Sequence, residues 1–133
     1  MNPSRLPAAA SLGACLLLSC TALFPTAAVA LDTIPALQAV RHIGKTAMVC
    51  GKVERTRHAQ NTEGEPTFLY MGGAFPRHTF SARIPGELRD RFSPSPEQLE
   101  GRDVCVSGDI KRDSSRAEIA VNSVSDIKLA DIR

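Results

Sequence analysis

The stretches Val49-Cys50-Gly51-Lys52-Val53 and Val104-Cys105-Val106-Ser107-Gly108 decide the fold of this chain. In both, valines and small residues recur at every second position, which is typical of a strand with one buried face. Each stretch places one cysteine on the face opposite its valines. The shared pattern predicts two neighbouring strands whose cysteines lie on the same side and form a disulfide bond. The alternative is two separate buried cysteines, because cysteine is among the most buried residue types.

Residues 1–30 have the organisation of a secretory signal peptide. Arg5 precedes an apolar run from Leu12 to Phe24, and Ala28-Val29-Ala30 forms a small-x-small cleavage site. The run is shorter than the roughly 20 residues that a membrane-spanning helix needs. We therefore expect a signal peptide that is cleaved after Ala30, and a bacterial protein that is periplasmic or secreted.

A second processing route is open, because Leu17-Leu18-Ser19-Cys20 resembles a bacterial lipobox. In that case Cys20 would carry lipid and anchor the protein to a membrane. The residues that follow stay apolar, whereas lipoproteins usually turn polar there, so the cleaved form is favoured. Both routes place the domain, residues 31–133, outside the cytoplasm, where disulfide bonds persist.

The charge balance of the chain argues against bulk attraction to polyanions. Lysine and arginine number 16 and aspartate and glutamate 14, with a net charge of +2. Any electrostatic recognition therefore depends on local clusters of charge. The three histidines, His42, His58 and His78, are not at metal-ligand spacing and are interpreted as surface residues.

Five strands are predicted in the domain: Lys45–Arg57, Thr67–Met71, Thr79–Ile84, Arg102–Lys111 and Ala117–Asn122. A short helix is predicted over residues 34–43. A helical insert between the third and fourth strands begins near Gly86, and its second turn has Ser95 as N-cap in a capping box. Glycines in the first and fourth strands indicate bends. Few, strongly curved strands with a helix in this position favour a small closed barrel over a sandwich.

With these elements the chain resembles an OB-fold (oligonucleotide/oligosaccharide-binding) domain, in particular the small exported bacterial proteins classed as nucleic-acid-binding-like. The resemblance covers about residues 41–124 and rests on the runs His42-Ile43-Gly44-Lys45, Val49-Cys50-Gly51-Lys52-Val53, Pro66-Thr67-Phe68-Leu69, Leu99-Glu100-Gly101-Arg102 and Val104-Cys105-Val106-Ser107-Gly108-Asp109-Ile110. It implies an all-β, five-stranded Greek-key barrel in which the first strand lies beside the fourth, as a Cys50–Cys105 bridge requires. It also implies a binding face over the second and third strands, flanked by the loops His58–Pro66 and Arg112–Arg116.

Phe68 and Tyr70 share one face of the second predicted strand. If Leu69 and Met71 point inward, the two rings form a platform on which bases or sugars stack. The alternative is that Phe68 fills the barrel and Tyr70 lies at its boundary. The ligand-binding set that we predict is Phe68, Tyr70, Phe75, Arg55, Arg57, Arg77 and Arg83, in which the arginines neutralise or hydrogen-bond the ligand. A mixed, solvated surface is the alternative for the arginines, because acidic residues are interspersed with them.

The sequence predicts a non-catalytic, exported module that binds single-stranded nucleic acid or oligosaccharide. An envelope protein–protein interaction or scaffold module is the alternative. The sequence shows no nucleophile elbow, paired carboxylates or phosphate-binding loop. We therefore expect no enzyme activity, no cofactor and no metal.

Overall fold

The computed structural model describes residues 13–14, 16–25 and 30–130. Within them the strands are β1 (Thr33–Pro35), β2 (Thr46–His58), β3 (Thr67–Met71), β4 (Phe80–Ile84), β5 (Asp103–Asp113), β6 (Arg116–Ala120) and β7 (Ile127–Leu129). One α-helical turn, α1 (Gly86–Arg89), and three 3-10 helices (Ala36–His42, Pro96–Leu99 and Val124–Asp126) connect them. Arg5 and most of the predicted cleavage site lie outside the described residues.

Five of these strands close into a barrel. β2 pairs antiparallel with β3 and β5, β3 with β4, and β5 with β6. The parallel pairing of β4 with β6 completes the circle. The order β2-β3-β4-β6-β5 and back to β2 is that of a five-stranded Greek-key OB barrel. The predicted fold class is confirmed, and so is the helical insert, which lies between β4 and β5.

Most of the core consists of the residues that alternate inward along the five barrel strands, and β1 and the short helices add to it. In β2 and β5 these are the valines of the two opening stretches, all with no exposed surface. Leu69 and Met71 in β3 also point inward and are fully buried, as the platform hypothesis requires. Phe80 in β4 is the largest fully buried side chain of the described residues, so this ring fills the barrel.

β2 bends at a bulge, where its register with β3 shifts between Val53 and Arg55. The bend therefore lies slightly beyond the glycine that the sequence pattern indicated. Gly51 serves close packing instead, because a Cβ there would come within 3.0 Å of the Ala36 Cβ. Gly108 also permits a close approach, since its Cβ would lie 2.6 Å from Cγ2 of Ile119.

The short helix predicted over residues 34–43 is confirmed, but it begins at Ala36 and is a 3-10 helix. Ile34 belongs to β1, which pairs parallel with β2 opposite Val49, and the helix that follows is 3-10. In a 3-10 helix positions three apart eclipse each other, so Ala36 and Ala39 face the core. Leu37, which an α-helix would have buried beside Ile34, is 69% exposed.

The helical insert closes one end of the barrel. Leu88 and Leu99 are buried in the core, and Arg89 forms an ion pair with Glu97 that joins the two short helices. Arg89 also donates a hydrogen bond of 2.9 Å to the buried Thr67 hydroxyl. The pKa of Glu97 lies below its usual range. Burial acts to raise it, and hydrogen bonding to Arg89 acts to lower it.

The capping box predicted at Ser95 does not form, because the Ser95 side chain makes no capping hydrogen bond. A capping box occurs instead at Ser123, whose partner is Asp126 at the third helical position. The short helix there leads into β7, which pairs antiparallel with β5.

The disulfide prediction is confirmed: Cys50 and Cys105 are bonded, directly opposite each other in the β2–β5 register. Their Cα atoms are 4.1 Å apart. β1 lies beside this part of β2 and β7 beside this part of β5, so two additional short strands flank the bridge. We call this region, β1, residues 46–52, residues 103–109 and β7, the bridged side. Across the described ranges, none of the helices has the length and apolar character needed to cross a membrane.

Candidate functional site

The outer face of the barrel carries two rows of side chains that run across the strands. Strand register places Arg55, Tyr70, Ser81, Glu118 and Lys111 in the first row, on β2, β3, β4, β6 and β5 respectively. The second row contains Arg57, Phe68, Arg83 and Ala120. We use the term outer face for these nine residues. They include five of the seven predicted ligand-binding residues.

A compact aromatic cluster, made of Phe68, Tyr70, Phe75 and His78, occupies the β3 side of this face. The Phe68 and Tyr70 rings are stacked, with centroids 5.9 Å apart and planes 4° from parallel. Phe75 and His78 also stack, at 5.5 Å and 7°, and both contact the Tyr70 ring. These four rings form one continuous aromatic cluster outside the barrel core.

Tyr70 lies at the centre of the cluster and is only 8% exposed. The rings of Phe75 and His78 lie at 5.0 and 4.2 Å from it and cover it. The accessible aromatic surface therefore belongs to Phe75, which is 38% exposed, and to the half-buried Phe68. The alternative in which Phe68 fills the barrel is wrong, because Phe80 takes that place.

His78 is not a surface residue, contrary to the sequence interpretation: it is buried between Tyr70 and Phe75. Its Nδ1 atom is buried and has no hydrogen-bond partner among the described residues. Burial, and then the positive charge of Arg116, lower the pKa of His78. The lowered pKa favours the neutral imidazole, which is a fourth ring beside Phe68, Phe75 and Tyr70. Strand alternation could not predict this position, because His78 lies in the loop between β3 and β4.

The arginines of the predicted set surround the cluster. The Arg55 guanidinium lies over the Phe75 ring, 4.7 Å from its centroid, in a cation–π arrangement. Arg57 and Arg83 are exposed on either side of Phe68 in the second row. Arg77 is exposed in the loop that carries Phe75 and His78, away from the two rows.

The loop itself is fastened to the barrel. Arg116 of β6 donates a hydrogen bond to the Pro76 carbonyl oxygen, and Thr79 donates one of 3.2 Å to the Ala36 carbonyl oxygen. Gly72, with φ of +74°, lies where a Cβ would be 2.2 Å from Oγ1 of Thr79. These contacts hold Phe75 and His78 against Tyr70.

A cavity of about 430 Å³ opens beside the cluster, on the β4 and β6 side of the outer face. Its polar lining comes from the β2–β3 loop, β4, α1, β5, β6 and the chain after β6: Gly64, Arg83, Glu87, Lys111, Glu118 and Asn122. We call it the polar pocket. Sequence reasoning missed it, because its lining residues are far apart in the sequence and no local pattern joins them.

Glu118 is the half-buried acid of the polar pocket. Its carboxylate accepts one hydrogen bond, from the Ser81 hydroxyl at 3.3 Å. Burial and the negative charge of Asp113 raise the pKa of Glu118, while Arg83 and Ser81 act in the opposite direction. Among the described residues, no group of three or more histidine, cysteine, aspartate or glutamate side chains has a metal-binding arrangement.

Comparison with known proteins adds no family to this description. No protein family and no curated protein matches the chain. One match among solved structures is a crystal structure described as an aspartyl-tRNA synthetase from Leishmania major Friedlin, at 16% identity and a TM-score of 0.46. It covers 80% of this chain, and this chain spans 22% of the synthetase chain. A likeness this distant carries no conclusion about the function of the present protein.

Proposed function

We propose that this protein is an exported, non-catalytic OB-fold module that binds single-stranded nucleic acid across its outer face. In this account Phe68 and Phe75 stack against bases, and Tyr70 supports them from beneath. Arg55, Arg57 and Arg83 contact the phosphate backbone. Arg77, in the adjoining loop, contributes a further positive charge.

The observation that carries the proposal is the combination of outward rings and arginines on one barrel face. Aromatic side chains normally pack in a protein core. In this chain Phe80 fills the core, whereas Phe68 and Phe75 lie outside it. Stacking platforms bordered by arginine are how proteins bind single strands with little dependence on sequence. Around the Phe68–Tyr70 stack, the exposed charges of the two rows are positive, although the whole chain is near neutral.

The proposed export is supported by the Cys50–Cys105 disulfide, because such bonds persist in oxidising compartments. Signal-peptide cleavage after Ala30 and the competing lipid anchor at Cys20 both belong to this proposal. Cys20 itself is exposed. Mass spectrometry of the protein recovered from the bacterial envelope would distinguish a mature start at Leu31 from a lipidated Cys20.

Fluorescence anisotropy of the purified protein with a labelled ten-nucleotide deoxythymidine strand tests the binding function. We expect saturable binding that weakens with salt. Three or four phosphate contacts predict a slope of about −2 to −3 for log K against log salt. A neutral oligosaccharide probe of similar length serves as the comparison and should not compete.

Two outcomes would contradict the proposal. Competition by the neutral oligosaccharide together with a salt-independent affinity would assign the outer face to glycans. Failure to bind any single strand, with salt-insensitive recovery of one envelope protein on the same face, would favour the interaction-module alternative.

A further inference from the structure

The polar pocket adjoins the stacking surface but differs from it in chemistry. Arg83 belongs to both: it follows Phe68 in the second row and lines the pocket. Lys111 and Glu118 are directly opposite each other in the β5–β6 register, and both line the pocket, which therefore has a cationic and an anionic side chain in its wall. A base that leaves the Phe68 stack along the second row would therefore enter a site with both donors and acceptors.

The Glu118 carboxylate has unused hydrogen-bonding capacity. A carboxylate offers about four acceptor positions, and Ser81 uses one, in a long bond of 3.3 Å. Partial burial limits how far water can satisfy the rest, and this desolvation is the first cause of the raised pKa of Glu118. A ligand with two adjacent N–H groups would fill these positions better than water does.

We propose that the polar pocket is a guanine subsite in which Glu118 determines base preference. The inference rests on the proposed function, since it assumes a single strand lying along the outer face. Unpaired guanine presents two neighbouring donors, N1–H and the N2 amino group, beside the acceptors O6 and N7. Glu118 accepts from the two donors, and Arg83 or Lys111 donates to O6 or N7.

The other bases match this arrangement less well. Thymine and uracil present one ring N–H between two carbonyl groups. The carbonyl oxygens are acceptors and would be repelled by the carboxylate. Adenine offers an amino group but no ring N–H. Cytosine offers an amino group to a glutamate, but its ring nitrogen and carbonyl are acceptors. Only guanine places two donors side by side against one carboxylate.

The test compares a ten-nucleotide deoxythymidine strand with the same strand carrying one central guanine, adenine or inosine, by anisotropy at pH 7.5. For the unchanged protein we expect the guanine strand to bind about five-fold or more tightly than the parent strand. Inosine lacks the N2 amino group, so its advantage should be smaller. Glu118→Gln should remove the guanine advantage, measured as the ratio of the two affinities, while the parent strand still binds.

Glu54→Gln is the matched control, because Glu54 is an exposed glutamate of β2 that belongs neither to the outer face nor to the lining of the polar pocket. This variant should keep the guanine ratio. Binding of the parent strand with no guanine advantage, or loss of the advantage in Glu54→Gln and not in Glu118→Gln, would overturn the subsite and leave the proposed function standing. Failure to bind the parent strand would overturn the proposed function itself. If Glu118→Gln does not fold, the guanine-to-inosine comparison on the unchanged protein decides.

Discussion

The two halves of β2 make different contacts. Its first half, residues 46–52, lies between β1 and β5 and is bonded to β5 through Cys50. Its second half, beyond the bulge, pairs with β3 and directs Arg55 and Arg57 outward beside aromatic rings. One strand therefore contributes both to the covalently fastened side of the barrel and to the face that we assign to ligand.

The difference shows how a small barrel can place the contacts that stabilise the fold and the residues that bind ligand on different parts of its surface. The bridged side has additional strands and a covalent bond. The outer face instead exposes arginines and rings that the core does not need. The second half of β2 is held by its pairing with β3, which does not involve the bridge.

The largest expected effect comes from removing the bridge in the double variant Cys50→Ser/Cys105→Ser. The cysteines are 55 residues apart in sequence, and closing a loop of that length is worth about 4 kcal/mol in the chain-entropy description. We expect the free energy of unfolding, measured by urea denaturation without reductant, to fall by roughly this amount. Under conditions where the variant is still folded, its affinity for the deoxythymidine strand should be close to that of the unchanged protein. A folded variant that loses binding would show that the two halves of β2 are not separable.

The smallest expected effect concerns His78 and acid pH. Its pKa is lowered in the folded protein by burial and by Arg116, relative to about 6.5 in an unfolded chain. The unfolded state therefore binds the proton more readily. The resulting stability is fully present above about pH 6.5 and is lost as the pH falls through that value toward the lowered pKa.

His78→Phe tests this linkage, because phenylalanine keeps a ring beside Tyr70 and Phe75 but cannot titrate. Urea denaturation at pH 5.5 and pH 7.5 should show a smaller loss of stability on acidification in the variant than in the unchanged protein. Arg116, which faces His78 from β6, is present in both. An identical pH dependence in the two proteins would mean that His78 does not contribute to acid sensitivity.

The barrel could be predicted from sequence because its strands are marked by alternating buried and exposed residues, which is a local and periodic pattern. Alternating valines identified β2 and β5, and the paired cysteines identified them as neighbours. The N-terminal segment was harder. Ile34, Leu37 and Val40 have helical spacing, but pairing of Ile34 with β2 and burial of two small alanines outweighed that pattern.

The candidate site was predictable only where strand alternation governs it. Phe68 and Arg83 lie on the outer face as their parity indicated, whereas Arg55, two residues after the buried Val53, reaches it because of the bulge in β2. His78 and Phe75 reach the cluster through a loop, whose path depends on long-range contacts such as Arg116 with Pro76. The polar pocket joins side chains from β4, β5 and β6, and no local pattern brings those together.

The most direct test of the account compares two exposed apolar side chains, one outside the aromatic cluster and one within it. Leu37 is 69% exposed beside the bridged side, whereas Phe75 is 38% exposed in the aromatic cluster. Anisotropy with the deoxythymidine strand should show that Phe75→Ala weakens binding by about five-fold or more, as loss of one stacked base would, and that Leu37→Ala leaves it unchanged. An unchanged affinity in Phe75→Ala, with a loss in Leu37→Ala, would contradict the assignment of the ligand to the outer face.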